Sequence, residues 1–165
     1  TVMKFEGNFA EYIKSEWAEE CLSLPRDWDK PFCEGSPEME RLQKADYDLS
    51  HSMWAVIEPE NVNFKPDFPF LEGKRYEWWI ARILTGQLMP MHKDDESFEE
   101  IVDATVHWIP LQDYQSGHVF VINDELITDY KKGDVYTFSK FSDLHGAANI
   151  GMVPKLTIMV VVYND

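Results

Sequence analysis

The sequence has few cysteines, few basic residues and no long apolar run. Its two cysteines, Cys21 and Cys33, form no Cys-x-x-Cys pair, so we expect free thiols and no zinc site. The sequence has 15 Lys and Arg residues and 30 Asp and Glu residues, which give a formal net charge of −15 at pH 7. Phosphate recognition needs basic surface, so we expect no general nucleic-acid binding and no docking on anionic membranes. Without a signal peptide or a transmembrane-length apolar segment of about 20 residues, we expect a cytoplasmic protein.

The length and hydrophobic content fit one folded unit. The 165 residues are 44% hydrophobic, which suits a single core. We therefore expect one domain over residues 1–165, with a helical N-terminal part (1–50) and a β-rich core (76–165). The aromatic spacing from Phe9 to Leu22 predicts an amphipathic helix, and Ser36-Pro37 predicts the start of a second one. The proline-rich stretch 58–73 is predicted to be an irregular connector.

Eight short strand-like segments follow the connector, with turn residues such as Gly117 between them. Regular punctuation of this kind predicts a mainly β fold, a double-stranded β-helix or jelly roll, with the N-terminal helices packed on it. The predicted strands are Glu77–Leu84, Gln87–His92, Ala104–Ile109, Gly117–Ile122, Leu126–Asp129, Asp134–Phe138, His145–Ile150 and Lys155–Tyr163.

Three residues in this region have the chemistry of a metal site. His92 and Asp94 are two residues apart, so an extended strand would place both on one face. His145 is remote in sequence and would join them from a strand folded back beside the first. Two imidazoles and one carboxylate are the ligand set of an open ferrous site. The tripeptide taken alone also fits a surface pair at a strand end.

A lysine opens the strongest strand of the chain. In Lys155–Tyr163, period two puts Thr157 on the same face as Lys155. An ammonium and a hydroxyl placed in this way could bind one carboxylate together. In isolation, Lys155 equally fits a solvated strand end.

His92-x-Asp94, His145 and Lys155 together resemble the signature of the 2-oxoglutarate/Fe(II)-dependent dioxygenases, and the lysine is similar to the prolyl-4-hydroxylase-like branch. The resemblance covers Trp78 to Tyr163. It implies that the two histidines and the aspartate are the catalytic metal ligands for Fe(II). It further implies that Lys155 and Thr157 bind the distal carboxylate of 2-oxoglutarate.

The resemblance also implies a reaction. Dioxygen and 2-oxoglutarate would be consumed, with ascorbate as a possible reductant, to hydroxylate an unknown peptide or small-molecule substrate and give succinate and CO2. Two other classes stay open, because fold alone does not decide function. One is a cupin-like metal-binding protein without an oxoacid. The other is a non-catalytic jelly-roll binding or structural module in which the three ligands never converge.

Further polar residues are candidates for the pocket. Arg82, ten residues before His92, occupies a position where related barrels contact the cosubstrate, although pairing with an acidic residue fits it equally. We interpret His107 as a hydrogen-bonded packing residue and His118, beside a glycine, as an exposed turn residue. Tyr136 and Asn149 are candidate hydrogen-bond donors in the pocket.

Overall fold

The protein is described by a computed structural model over residues 3–25, 37–46, 54–93, 103–139 and 143–164. The predicted ligand Asp94, the second cysteine Cys33 and the predicted cap Ser36 lie outside these residues. The described helices are α1 (Ser15–Ser23) and α2 (Pro37–Lys44). The described strands are β1 (Lys4–Asn8), β2 (Ala55–Ile57), β3 (Tyr76–Ile83), β4 (Leu88–His92), β5 (Ala104–Pro110), β6 (His118–Ile122), β7 (Glu125–Leu126), β8 (Asp134–Ser139), β9 (His145–Asn149) and β10 (Lys155–Tyr163).

The strands form two antiparallel sheets. The larger sheet has six strands in the order β1-β8-β5-β10-β3-β2, and the smaller has four in the order β4-β9-β6-β7. This architecture confirms the predicted mainly β jelly roll. Each of the eight predicted strands is present, with most ends within one or two residues of the prediction. The exception is β7, which ends at Leu126 and not at Asp129.

Both faces of the six-stranded sheet are covered, as its central strand β10 shows. All nine residues of β10 are buried. Met159 and Val161 face the four-stranded sheet and pack in one core cluster with Phe120 and Ala147. Leu156 and Ile158 belong to a second cluster on the opposite face. The continuous apolar character of β10 follows from this double burial.

The second cluster is covered by the N-terminal part and the connector. Helix α1 buries Trp17 and Cys21 against it, and Trp17 stacks on Phe64 with ring centroids 4.8 Å apart. Cys21 is a free thiol, and burial raises its pKa to about 12. The connector contains two short 3-10 turns, Pro59–Asn61 and Pro69–Leu71. None of the described helices has the length and hydrophobicity required to cross a membrane.

The N-terminal part differs from the prediction in one respect. It is not wholly helical, because its first described element is strand β1, which pairs antiparallel with β8. The helix expected from Phe9 begins only at Ser15, after a 3-10 turn over Ala10–Tyr12. The pairing of β1 joins Lys4 to Thr137, and local periodicity carries no signal of such a long-range partner.

Candidate functional site

The structure brings His92 and His145 together. Strands β4 and β9 are neighbours in the four-stranded sheet, and the two histidines are direct cross-strand partners. Both are buried, and their ring centroids are 4.4 Å apart. Two imidazoles that are distant in sequence therefore share one position at the end of a strand pair.

Both histidines are held in the tautomer that suits a metal ligand. Nδ1 of His92 lies 2.7 Å from the carbonyl oxygen of Pro90, and Nδ1 of His145 lies 3.1 Å from that of Asp143. A carbonyl oxygen can only accept, so each Nδ1 carries the proton and donates. In a neutral imidazole the lone pair is then on Nε2, which is the arrangement of metal-binding histidines whose other nitrogen is held by a backbone carbonyl.

The two imidazoles line a cavity between the sheets. Its volume is about 30 Å³, room for roughly two water molecules. Lys155 and Thr157 line the same cavity from the six-stranded sheet. Four of the predicted site residues therefore meet in one place. The other lining residues are almost all apolar: Trp54, Val56, Trp79, Ala81, Ile83, Met89, Trp108, Phe120, Gly146, Ala147 and Met159.

Lys155 is not a solvated strand end. It is 2% exposed, and Nζ donates to Oγ1 of Thr157 at 3.3 Å. Nζ also lies 5.3 Å from the ring centroid of Trp108 and 5.9 Å from that of Phe120. No carboxylate of the described residues pairs with it. Burial lowers the pKa of Lys155 to about 7, because the charged form loses its hydration.

Two amides fix the backbone around Lys155. The side-chain nitrogen of Asn149 donates to the carbonyl oxygens of Ile83 and Val153 at 2.9 and 2.8 Å. Gln112 donates to the carbonyl of Pro154 at 2.6 Å and accepts from the backbone N–H of Leu156 at 2.8 Å. Asn149, expected as a donor in the pocket, thus positions the strand and does not line the cavity.

The structure does not place Arg82 in the cavity. Its side chain lies on the opposite face of β3, 2% exposed. Its guanidinium donates to the carbonyl oxygens of Cys21 and Leu24, each at 3.0 Å, and of Pro25 at 3.3 Å. Alternation along β3 is the physical reason, since Trp79, Ala81 and Ile83 line the cavity and Arg82 must point away. Arg82 binds the C-terminal carbonyls of α1 and does not contact the proposed cosubstrate position.

The other polar candidates also lie outside the cavity lining. His107 is on the outer face of β5 and stacks on Phe70 at 4.8 Å, as a packing residue would. The expectation for His118 is wrong: it is 2% exposed, and Nε2 donates to the carbonyl of Val153 at 2.6 Å. Its place at the start of β6 is the reason, because Phe120 shares its inward face. Tyr136 packs on Phe5 and Trp108.

The sequence reasoning missed the aromatic wall of the cavity. Trp108 from β5 stacks on Phe120 from β6, with ring centroids 4.4 Å apart, and so joins the two sheets beside Lys155. Alternation alone does not decide whether the Trp108 face or the His107 face of β5 points inward. Pairing of β5 with β10 decides it. Among the described residues no third His, Cys, Asp or Glu completes a metal-binding group with the histidine pair.

Comparison with known proteins bears on the fold. No family model matches the chain, and no curated protein sequence matches it significantly. Solved structures of similar fold include the Cupin_2 domain of an XRE family transcriptional regulator from Enterobacter cloacae (17% identity, 68% of this chain and 98% of that chain, TM-score 0.45). They also include an RmlC-like cupin protein from Desulfovibrio desulfuricans (14% identity, 66% of this chain and 81% of that chain, TM-score 0.43).

A third solved structure is the non-heme α-ketoglutarate-dependent epimerase SnoN from nogalamycin biosynthesis (15% identity, 56% of this chain and 48% of that chain, TM-score 0.45). The structural neighbours are thus cupin and RmlC-like double-stranded β-helix proteins, and they include an enzyme that depends on α-ketoglutarate, another name for 2-oxoglutarate. At these identities the likeness concerns the fold alone. The prolyl-4-hydroxylase-like branch stays a prediction.

Proposed function

We propose that this protein is an Fe(II)- and 2-oxoglutarate-dependent dioxygenase that hydroxylates a peptide or a small molecule. One observation carries the proposal. Two buried imidazoles, both with Nδ1 held by a backbone carbonyl, share a cavity with a buried lysine and a hydroxyl. Nitrogen donors of this tautomer suit a divalent transition metal, and the predicted third ligand is Asp94.

The lysine favours an oxoacid over a metal alone. A dication and an ammonium in one weakly hydrated cavity repel each other, and each is costly to desolvate. A ligand with an anionic group at each end offsets both charges. 2-Oxoglutarate has such groups, and Lys155 with Thr157 offers a charge-assisted hydrogen bond to the carboxylate distal from the metal.

Different residues of the site would bind the metal, orient the oxoacid and exclude water. When bound, Fe(II) and 2-oxoglutarate supply the oxidising chemistry, with dioxygen as oxidant and succinate and CO2 as products. His92, His145 and Asp94 would hold the metal on one side and leave the other side to ligands. Lys155 would orient the oxoacid, and the wall of Trp108 and Phe120 would exclude water around it.

Anaerobic titration with Fe(II), with and without 2-oxoglutarate, tests the proposal by visible absorption. The wild type should bind Fe(II) and show a weak charge-transfer band only when the oxoacid is present. His145→Gln should lower the Fe(II) affinity at least tenfold, since it removes one of few ligands. His107→Gln, the same change outside the cavity, should leave it unaltered. Lys155→Ala should weaken 2-oxoglutarate binding more than tenfold and leave Fe(II) binding intact.

Other outcomes would contradict the proposal. Fe(II) binding with no response to 2-oxoglutarate would indicate a cupin-like metal-binding protein without an oxoacid. Binding of neither ligand would indicate a non-catalytic jelly-roll module. Binding of both without Fe(II)-dependent formation of succinate under air, with any candidate substrate, would indicate a sensing or binding role.

A further inference from the structure

Lys155 is poorly satisfied as a cation. An ammonium has three donors, and within the described residues the hydrogen bond to Thr157 is the one that Nζ makes. Two aromatic rings also lie near Nζ, with the centroids of Trp108 and Phe120 at 5.3 and 5.9 Å. Cation–π contact gives part of the missing stabilisation, but it does not replace a carboxylate.

Among the residues that the structure describes, the titratable groups that face Lys155 do not supply the missing charge. The four-stranded sheet presents three inward histidines, His92, His145 and His118. Lys155 is close enough to His118 to contribute to the lowering of its pKa, whose main cause is burial. On the six-stranded sheet the polar neighbour of Lys155 is the uncharged Thr157. Burial without a counter-charge among the described residues therefore makes the neutral amine of Lys155 more accessible than that of an exposed lysine, and the lone pair of this amine is a nucleophile.

The cavity around this amine is open to a short carbonyl compound. Its walls near Lys155 are apolar, with Ala81, Ile83 and Met159 among the lining residues. Three lining residues, Val56, Trp79 and Met89, are only half-buried and mark the side from which a ligand can enter. A volume of about 30 Å³ in the ligand-free protein admits a carbonyl compound of a few heavy atoms.

We propose that Lys155 is a covalent binding site for small aldehydes and ketones in the ligand-free protein. Nζ attacks the carbonyl carbon, the C=O π bond breaks, and a proton moves from nitrogen to oxygen to give a carbinolamine. Loss of water then forms the C=N bond of an imine, so that one carbonyl compound and one amine give one imine and one water, with no redox change. The Thr157 hydroxyl, beside Nζ, can bind the carbinolamine oxygen. This inference needs no metal and goes beyond the dioxygenase proposal.

Reductive trapping tests the inference. The metal-free protein is incubated at pH 6.5 with acetaldehyde and sodium cyanoborohydride, and ethylation of each lysine is measured by peptide mass spectrometry. An exposed lysine of pKa about 10.4 is neutral in only about one molecule in 10⁴ at this pH. We expect Lys155 to be ethylated at least tenfold more than the exposed Lys131. Lys155→Met should remove this adduct, and Lys131→Arg should leave it unchanged.

Two controls make each outcome decisive. In urea, where the cavity is lost, the peptides of Lys155 and Lys131 should be ethylated equally, which confirms that both are detected. If Lys155 in the folded protein is ethylated no more than Lys131, the inference is overturned, while the Fe(II) titration above still tests the dioxygenase proposal separately. Glutarate, a dicarboxylate without a carbonyl, should lower the ethylation of Lys155 if this amine also anchors carboxylates. Ethylation that glutarate does not lower supports the covalent site and contradicts the anchor role.

Discussion

Burial of Lys155 destabilises the ligand-free protein, so its replacement by an apolar residue of similar length should stabilise the fold. Lys155 is 2% exposed, has the Thr157 hydroxyl as its acceptor, and lies against aromatic rings. Methionine fills a similar volume, is flexible and favours aromatic contacts. Lys155→Met should therefore raise the free energy of unfolding while it removes the proposed anion anchor.

The magnitude follows from the pKa. A pKa of about 7 in place of 10.5 corresponds to about 5 kcal/mol at 1.36 kcal/mol per pKa unit. At pH 7 the free energy of unfolding of the wild type is lower by this amount, because the amine must either stay charged without hydration or release its proton. The substitution leaves the Thr157 hydroxyl without its donor, which costs about 1–3 kcal/mol. The net gain is about 2–4 kcal/mol, or a rise in Tm of roughly 5–15 °C.

The gain should depend on pH. Between about pH 7 and 10.5 the unfolded chain binds a proton at Lys155 that the native protein does not. The stability of the wild type therefore rises with pH in this window, by up to 1.36 kcal/mol per pH unit from this residue, and falls as the pH drops toward 7. Lys155→Met lacks this dependence, so its advantage is largest at and below pH 7, falls to zero between about pH 8.5 and 10, and is reversed at higher pH.

Urea unfolding followed by tryptophan fluorescence, at pH 7.0 and 9.5 with chelator present, measures both effects. Lys131→Met, a change at an exposed lysine, should shift stability by no more than about 0.5 kcal/mol. A Lys155→Met protein that is less stable than the wild type at pH 7.0, or that keeps the same dependence on pH, would show that burial of Lys155 does not destabilise the ligand-free protein.

Two further predictions concern the support of the site. Arg82→Met should destabilise the protein by roughly 2–4 kcal/mol in urea unfolding, because three carbonyls at the end of α1 lose their donor. The folded variant should bind 2-oxoglutarate like the wild type. A selective loss of 2-oxoglutarate affinity would instead support the predicted role of Arg82 in binding the cosubstrate. Gly117→Ala should lower the free energy of unfolding by about 1–3 kcal/mol, measured by thermal unfolding. Gly117 has a φ of +94°, and an added Cβ would overlap the backbone of Gly151. An unchanged Tm would contradict the close approach of these two turns.

The sequence predicted the strands well because their signals are local. Lys155–Tyr163 is a continuous apolar run buried on both faces, and its bounds agree with the structure residue for residue. The shared cavity of His92, His145, Lys155 and Thr157 was also predictable, since period two fixes the common face of Lys155 and Thr157. The meeting of the two histidines required the fold resemblance as well, because no local pattern indicates that β4 pairs with β9.

The failures have a common cause, which is that burial depends on partners distant in sequence. Arg82 carries the charge expected of a cosubstrate ligand, but its partners are the carbonyls of α1 more than fifty residues earlier. His118 follows a turn glycine and would be exposed on an open hairpin, yet the carbonyl of Val153 satisfies Nε2 from another strand connection. A polar residue inside a strand can be assigned to one of two faces by alternation, and only the order of strands in the sheet shows which face is the cavity. For Arg82 that order makes the charged side chain a support for α1, and it leaves Lys155 as the buried cation that faces the histidines.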